Sequence, residues 1–228
     1  MGNLVVPPRQ YRYLDFLILA FVVILLISNL IAAKFTSIGP LKFSAAQLLF
    51  PVTYIFGDIF TEVYGYAASR RAIWSGFFAS ALMAAMGLLA IWLPPAPEFK
   101  NQAAFEAIFG VVPRIVAGSL LAFWFGEFAN SYTMAKLKLL TNGRHLWTRT
   151  VSSTVVGQGV DTVIVICFIF YDQPFATIIT LIVSGYTFKV AYEIAATPLT
   201  YLVVNFLKRR EGIDTFDRST DFSPFHAR

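Results

Sequence analysis

The sequence predicts an all-α, polytopic membrane protein with about six transmembrane helices. Three observations carry that prediction. Of 228 residues, 57% are hydrophobic and only 14% are charged, more apolar surface than a soluble domain of this size would hide. The apolar residues gather into stretches near the roughly 20 residues that a bilayer span needs. Within those stretches stand Asp58, Glu62, Arg114, Glu127, Asp161, Lys189 and Glu193. A charge at the bilayer centre costs about 2.5–3.5 kcal/mol on insertion scales, so such groups face a cavity or one another.

Six spans are expected, at 14–33, 44–66, 72–93, 111–135, 150–171 and 176–206. The first exceeds the roughly 7–15-residue apolar core of a signal peptide and should stay in the mature protein. The third carries Gly76, Ser80 and Ala84 at four-residue spacing, which lets another helix approach closely. That face serves internal packing, with a dimer contact as the other reading. Pro94, Pro95 and Pro97 make a rigid outer loop leading to an amphipathic helix at 99–109 that lies on the membrane. The sixth segment is longer than a ~30 Å hydrocarbon core needs; it tilts, or breaks near Gly185, and Pro198 is a second place to bend. Residues 1–13, with Pro7 and Pro8, form a loose cytoplasmic tail, 14–207 the transmembrane domain, and 208–228 a charged, mobile cytoplasmic tail.

Basic residues orient the chain. Arg9, Arg12, Arg70, Arg71, Lys136, Lys138, Arg144, Arg149 and Lys208–Arg210 fall on the side of the N-terminus. The other side keeps Lys34, Lys42 and Lys100, with Arg114 near its boundary. Both termini are therefore cytoplasmic, and the net charge of +5 reflects this asymmetry rather than a nucleic-acid partner. Trp74, Trp92 and Trp147 read as interface anchors, whereas Trp124 and Tyr54 lie deeper. Cys167 is alone, which excludes an internal disulfide. His145 and His226 lie outside the spans, which argues against a histidine metal centre. No cofactor is expected.

Residues three or four apart share a helix face. Gln47, Tyr54, Asp58 and Glu62 align in the second span, and Glu127 and Asn130 in the fourth. Thr154, Gln158 and Asp161 align in the fifth, and Tyr186, Lys189, Glu193 and Thr197 in the sixth. The first adds Ser28 and Asn29, with Lys34 at its end. These stripes should converge on one cavity. Lys189 and Glu193 can pair within one helix, yet carboxylates stay in excess. Either some are protonated or a donor-rich ligand meets them. No P-loop, His-Glu-x-x-His or Gly-x-Ser-x-Gly motif occurs. Gly157-Gln158-Gly159-Val160-Asp161 places its acid one residue late for an intramembrane aspartyl protease. The chain is not expected to be an enzyme.

Several blocks carry a family resemblance. They are 28–34 (SNLIAAK), 50–66 (FPVTYIFGDIFTEVYGY), 70–74 (RRAIW), Arg114, the Glu127–Asn130 region, 157–161 (GQGVD) and 186–190 (YTFKV). Together they resemble the queuosine precursor transporter family of vitamin uptake transporter-like membrane proteins. The resemblance implies a bacterial inner-membrane importer of 7-deazaguanines: 7-cyano-7-deazaguanine, 7-aminomethyl-7-deazaguanine and queuine. It also implies an architecture similar to the substrate-binding subunits of energy-coupling-factor vitamin transporters. With that substrate, Asp58, Glu62, Asp161 and Glu193 are candidate acceptors or proton carriers. Asn29, Gln47, Asn130 and Gln158 are candidate polar readers, and Tyr54, Trp124 and Glu127 complete the expected wall. Lys189, Arg114 and Lys34 are the charge partners. Two other readings stand beside a secondary transporter: a binding subunit docked on an ATP-driven coupling module, and a membrane enzyme or scaffold. A homodimer is left open.

Overall fold

The computed structural model describes residues 11–32, 34–38, 41–110, 113–169 and 171–225. Pro7, Pro8, His226 and the Arg114 side chain lie outside the described residues. Polarity is distributed as lipid demands. Phe16, Leu19, Phe78, Leu82, Leu199 and Leu202 are exposed, while Asp58, Glu62, Glu127, Asn130, Gln158 and Glu193 are buried. A water-soluble fold would reverse this.

Helix α1 spans Leu14–Ile31. A short antiparallel hairpin follows, β1 Phe35–Ile38 paired with β2 Leu41–Ser44. Ser44 Oγ accepts from Ala46 N and donates to Ala32 O, capping a 3₁₀ turn at Ala45–Leu48. The expected second span is then composite rather than one helix. After the 3₁₀ turn comes α2, Phe50–Ile59, with Pro51 in its first turn, where proline costs no hydrogen bond. A π-helical segment, Phe60–Tyr64, completes it.

Gly65 alone joins this segment to α3, Tyr66–Trp92. Its φ of 88° is open to glycine and strained for other residues. A Cβ there would also sit 2.7 Å from Thr215 Cγ2 and 3.1 Å from Asp217 Oδ1. The third span therefore begins at Tyr66, earlier than residue 72, because the glycine turn replaces the expected loop. The amphipathic helix is present as α4, Gln102–Phe109. Three long helices follow: α5 Pro113–Leu140, α6 Leu146–Ile169 and α7 Phe175–Glu211. Helix α7 is unbroken through Gly185 and Pro198, and its 37 residues reach about 55 Å at 1.5 Å per residue.

Among the described residues, α1, α3, α6 and α7 are long and apolar enough to cross a bilayer. Helix α5 matches them in length but carries Glu127, Lys136 and Lys138. It packs most closely on α6, and α6 on α7. The Gly76 face is turned inward: a Cβ on Gly76 would meet Leu25, Phe21 and Phe123, and Ser80 accepts from Asn29 Nδ2 at 3.2 Å. These small residues serve internal packing.

The tail after α7 is docked, contrary to the mobility expected of it. Asp217 accepts from Tyr66 N at 3.0 Å. Arg70 Nη1 donates to the carbonyls of Asp221 and Ser223, the Tyr66 hydroxyl to that of Phe222, and the Trp74 indole to that of Pro224. Buried polar backbone groups outside regular structure need such partners. Trp74 thus holds the tail, within a ring cluster of Trp124, Phe128 and Phe225, rather than anchoring an interface. Trp92 and Trp147 are exposed, as anchors would be.

Asp214 begins this docking by pairing with Lys138 and Lys208. Partial burial works against its charge, but the two ammonium groups prevail and hold its carboxyl below the usual range. A lowered pKa stabilises docking fully above the ordinary carboxylate value of about 3.9 and loses that contribution as pH falls through the lowered value. We expect protease cleavage within 212–225 of detergent-purified protein to be slow at neutral pH. It should accelerate below pH ~4 when assayed with an acid-active protease. Asp214→Asn should give the faster cleavage at higher pH.

Candidate functional site

The α2 face descends in steps of four residues through Phe50, Tyr54, Asp58 and Glu62. Helix α6 runs antiparallel to it and carries Arg149, Ser153, Gly157 and Asp161 at the same spacing. Paired one level at a time, these two faces give four levels, and their charged groups gather into three tiers.

At the tier nearest the hairpin, Lys189 Nζ of α7 pairs with Asp161 and reaches Thr162 Oγ1 at 3.3 Å. Its ammonium lies 5.3 Å from the Phe50 ring centre. The intrahelical Lys189–Glu193 pair expected from spacing is thereby replaced by an interhelical one.

The middle tier holds the carboxylate cluster. Asp58 Oδ1 accepts from Asn130 Nδ2 at 2.9 Å and from Ser153 Oγ at 3.2 Å. Asp58 Oδ2, both oxygens of Glu127 and both oxygens of Glu193 are buried with no partner among the described residues. The same holds for Asn130 Oδ1, Gln158 Oε1, Tyr54 Oη, Thr154 Oγ1 and Trp124 Nε1. Asp58, Asp161 and Glu193 are the charged neighbours of Glu127. Three carboxylates without a cation therefore face two amide oxygens and only a few donors. Such groups are costly in a low-dielectric interior unless a ligand or proton meets them. Among the described residues, no three of His, Cys, Asp or Glu are grouped to hold a metal ion.

The cluster exists because α5 and α6 touch backbone to backbone. A Cβ on Gly126 would lie 2.6 Å from Tyr54 Oη, 2.8 Å from Asp161 Cβ and 3.1 Å from the Gly157 carbonyl. Gly126→Ala must push α6 away, since a backbone carbonyl cannot swing aside. We expect it to destabilise the protein by about 1–3 kcal/mol, the usual cost of overpacking, and to weaken ligand binding with it. Thermal unfolding in detergent reads the first effect and calorimetry the second.

The third tier lies at the end of the bundle that carries the termini. There Glu62 Oε1 meets Arg149 Nη2 at 2.8 Å, Lys208 Nζ at 2.6 Å and Lys138 Nζ at 3.5 Å. Lys138 also donates to the Glu62 carbonyl, one of the backbone groups that the π geometry redirects. Glu62 is thus set apart from the cluster that spacing assigned it to. The sequence places Lys138, Arg149 and Lys208 among the basic residues that orient the chain, yet Lys138 and Arg149 are each 1% exposed. The signal for Arg149 was its place one step further along the α6 stripe.

The remaining candidates scatter. Asn29 joins Ser80 at a separate cavity of ≈ 90 Å³ between α1, α3, α4 and α5. None of the buried carboxylates lines that cavity, so the chemistry favours the middle tier. Gln47 is half-buried in the 3₁₀ turn ahead of α2, and Lys34 is exposed.

Comparison with known proteins finds a family and a relative for this chain. The profile of the family described as "Putative vitamin uptake transporter" matches residues 44–203, from the 3₁₀ turn through most of α7. A curated protein of Bacillus subtilis (strain 168), named "Probable queuosine precursor transporter", is 29% identical over 176 residues, covering 76% of this chain and 77% of that protein. No solved structure matches the chain.

Proposed function

This chain belongs to the "Putative vitamin uptake transporter" family, and on that premise we propose that it imports queuosine precursors as a secondary transporter of the bacterial inner membrane. The observation that carries the proposal is the middle tier: Asp58, Glu127 and Glu193 present five unpartnered carboxylate oxygens beside Asn130 and Gln158. A 7-deazaguanine is a flat ring whose guanine edge offers an N–H and an exocyclic amine, which one carboxylate accepts together. The Tyr54 hydroxyl is free to donate to the ring carbonyl, and aromatic walls cover ring faces in such pockets. An aminomethyl substituent would bring a cation to the remaining acids. The name of the Bacillus relative supports this substrate class. Arg12, Arg70, Arg71, Lys136, Arg144, Arg209 and Arg210 at the terminus end of the bundle support cytoplasmic termini by the bias of basic residues to that side.

Carboxylates without cations also suit proton coupling, since a proton can replace a departed ligand. The test is uptake of 7-cyano-7-deazaguanine by cells that cannot synthesise it, read as queuosine in tRNA. Expression of the chain should restore the modification without an added ATP-driven module, and a protonophore should reduce uptake. No restoration by folded, membrane-inserted protein would overturn the reading. Uptake indifferent to the protonophore would remove proton coupling and leave facilitated diffusion.

A further inference from the structure

We propose that Glu62, with Arg149, Lys138 and Lys208 around it, is the gate that closes the substrate path at the terminus end of the bundle, and that Asp214 of the tail holds the released cations when the gate opens. The proposal rests on the transport reading, but it concerns residues outside the middle tier. Four segments meet at one carboxylate: α5 through Lys138, α6 through Arg149, α7 through Lys208 and the π segment through Glu62 itself. They meet one step along the α2 face from Asp58.

The bonding is uneven in a way that a permanent anchor would not need. Three cations crowd Glu62 Oε1, while Glu62 Oε2 and Arg149 Nε are buried without partners. Breaking a buried ion pair is costly when its partners are left buried and unpaired, so opening needs a second acceptor for the released cations. Asp214 is 45% exposed and already contacts Lys138 and Lys208. When Glu62 withdraws, two of its three cations keep a partner, which lowers the cost of opening. The parts that would move are at hand. Glu62 stands in the π segment, and π-helical turns recur at functional sites. Gly65 follows it at positive φ, a position that absorbs backbone rotation.

The test reads opening directly. In a Cys167→Ser background, which removes the single cysteine, Met134→Cys places a thiol between gate and cluster. Met134 is fully buried, with its Sδ 4.0 Å from Ser153 Oγ. With the gate intact, a charged, membrane-impermeant thiol reagent should label it slowly in detergent-purified protein. Adding Glu62→Gln should raise the labelling rate about tenfold or more by populating the open state, while 7-cyano-7-deazaguanine binding stays within about threefold. Lys208→Gln is the milder second variant should Glu62→Gln fail to fold, and the same rise is expected. Unchanged labelling in a folded variant overturns the gate. Lost binding with unchanged labelling also overturns it, by placing Glu62 in the substrate site. Absence of deazaguanine binding in the unsubstituted protein would instead count against the proposed substrate, and the labelling comparison would still read the gate.

Discussion

Asp58→Asn should abolish measurable 7-deazaguanine binding and uptake while the helices stay packed. The carboxylate is divided between two tasks. Its Oδ1 is held by Asn130 Nδ2 and Ser153 Oγ, and its Oδ2 is free. Asparagine keeps the first task, because its carbonyl can accept both internal bonds. It fails at the second, because it sets an N–H₂ where the ligand brings its own donors. A hydrogen bond to a charged group contributes about 1.5–3 kcal/mol, and a donor left facing a donor costs about as much again. Affinity should therefore fall by about two orders of magnitude or more. Removing a buried charge should leave thermal stability equal or slightly higher. Calorimetry on the purified variant, with a melting curve beside it, separates the two effects. Wild-type affinity would take Asp58 out of the site and shift attention to Glu127 and Glu193, whose Gln variants give the matching comparison.

The sequence made the class of the protein and the middle tier legible for the same reason: a charge in an apolar span has few places to go. Tyr54, Asp58, Glu127, Asn130, Asp161 and Glu193 all emerged from three- or four-residue spacing within apolar stretches, and the structure brings them together; Gln158 emerged in the same way and is buried. What spacing within one helix cannot give is the partner on another. Lys189 stands one turn from Glu193 but chooses Asp161, because α6 brings a carboxylate nearer than its own helix does. Glu62 shares a face with Asp58, yet the change from α to π geometry and the arrival of α5, α6 and α7 carry it into a different network. Lys138 and Arg149 were hidden by a sound rule. Basic residues at span ends are usually solvated, and these two are buried only because Glu62 lies within reach. The tail was misread because charge and Gly212 suggest mobility, whereas its docking depends on Arg70, Trp74 and Tyr66, far away in sequence. Asn29 has the right polarity but faces α3, so its stripe ends at Ser80.

The Asp161–Lys189 pair should behave as a unit, and a double-mutant cycle exposes it. Asp161 is 3% exposed and Lys189 12%, so neither charge is readily rehydrated if its partner is lost. Lys189→Met alone leaves a carboxylate beside Glu127 and Tyr54 with no cation, and Asp161→Asn alone leaves an ammonium against the Phe50 ring. Breaking one side of a buried pair typically costs about 3–5 kcal/mol, whereas replacing both sides is often nearly neutral. Each single variant should therefore melt well below the parent, and the Asp161→Asn/Lys189→Met double variant should recover most of the loss. Uptake should not recover with it. Asp161→Asn should already remove transport when uptake is scaled to the amount of folded protein, and the double variant should remain inactive although stable, because the middle tier loses the charged boundary on its hairpin side. Additive melting losses would show that the two groups act separately. A stable double variant that transports normally would show that the pair serves only packing.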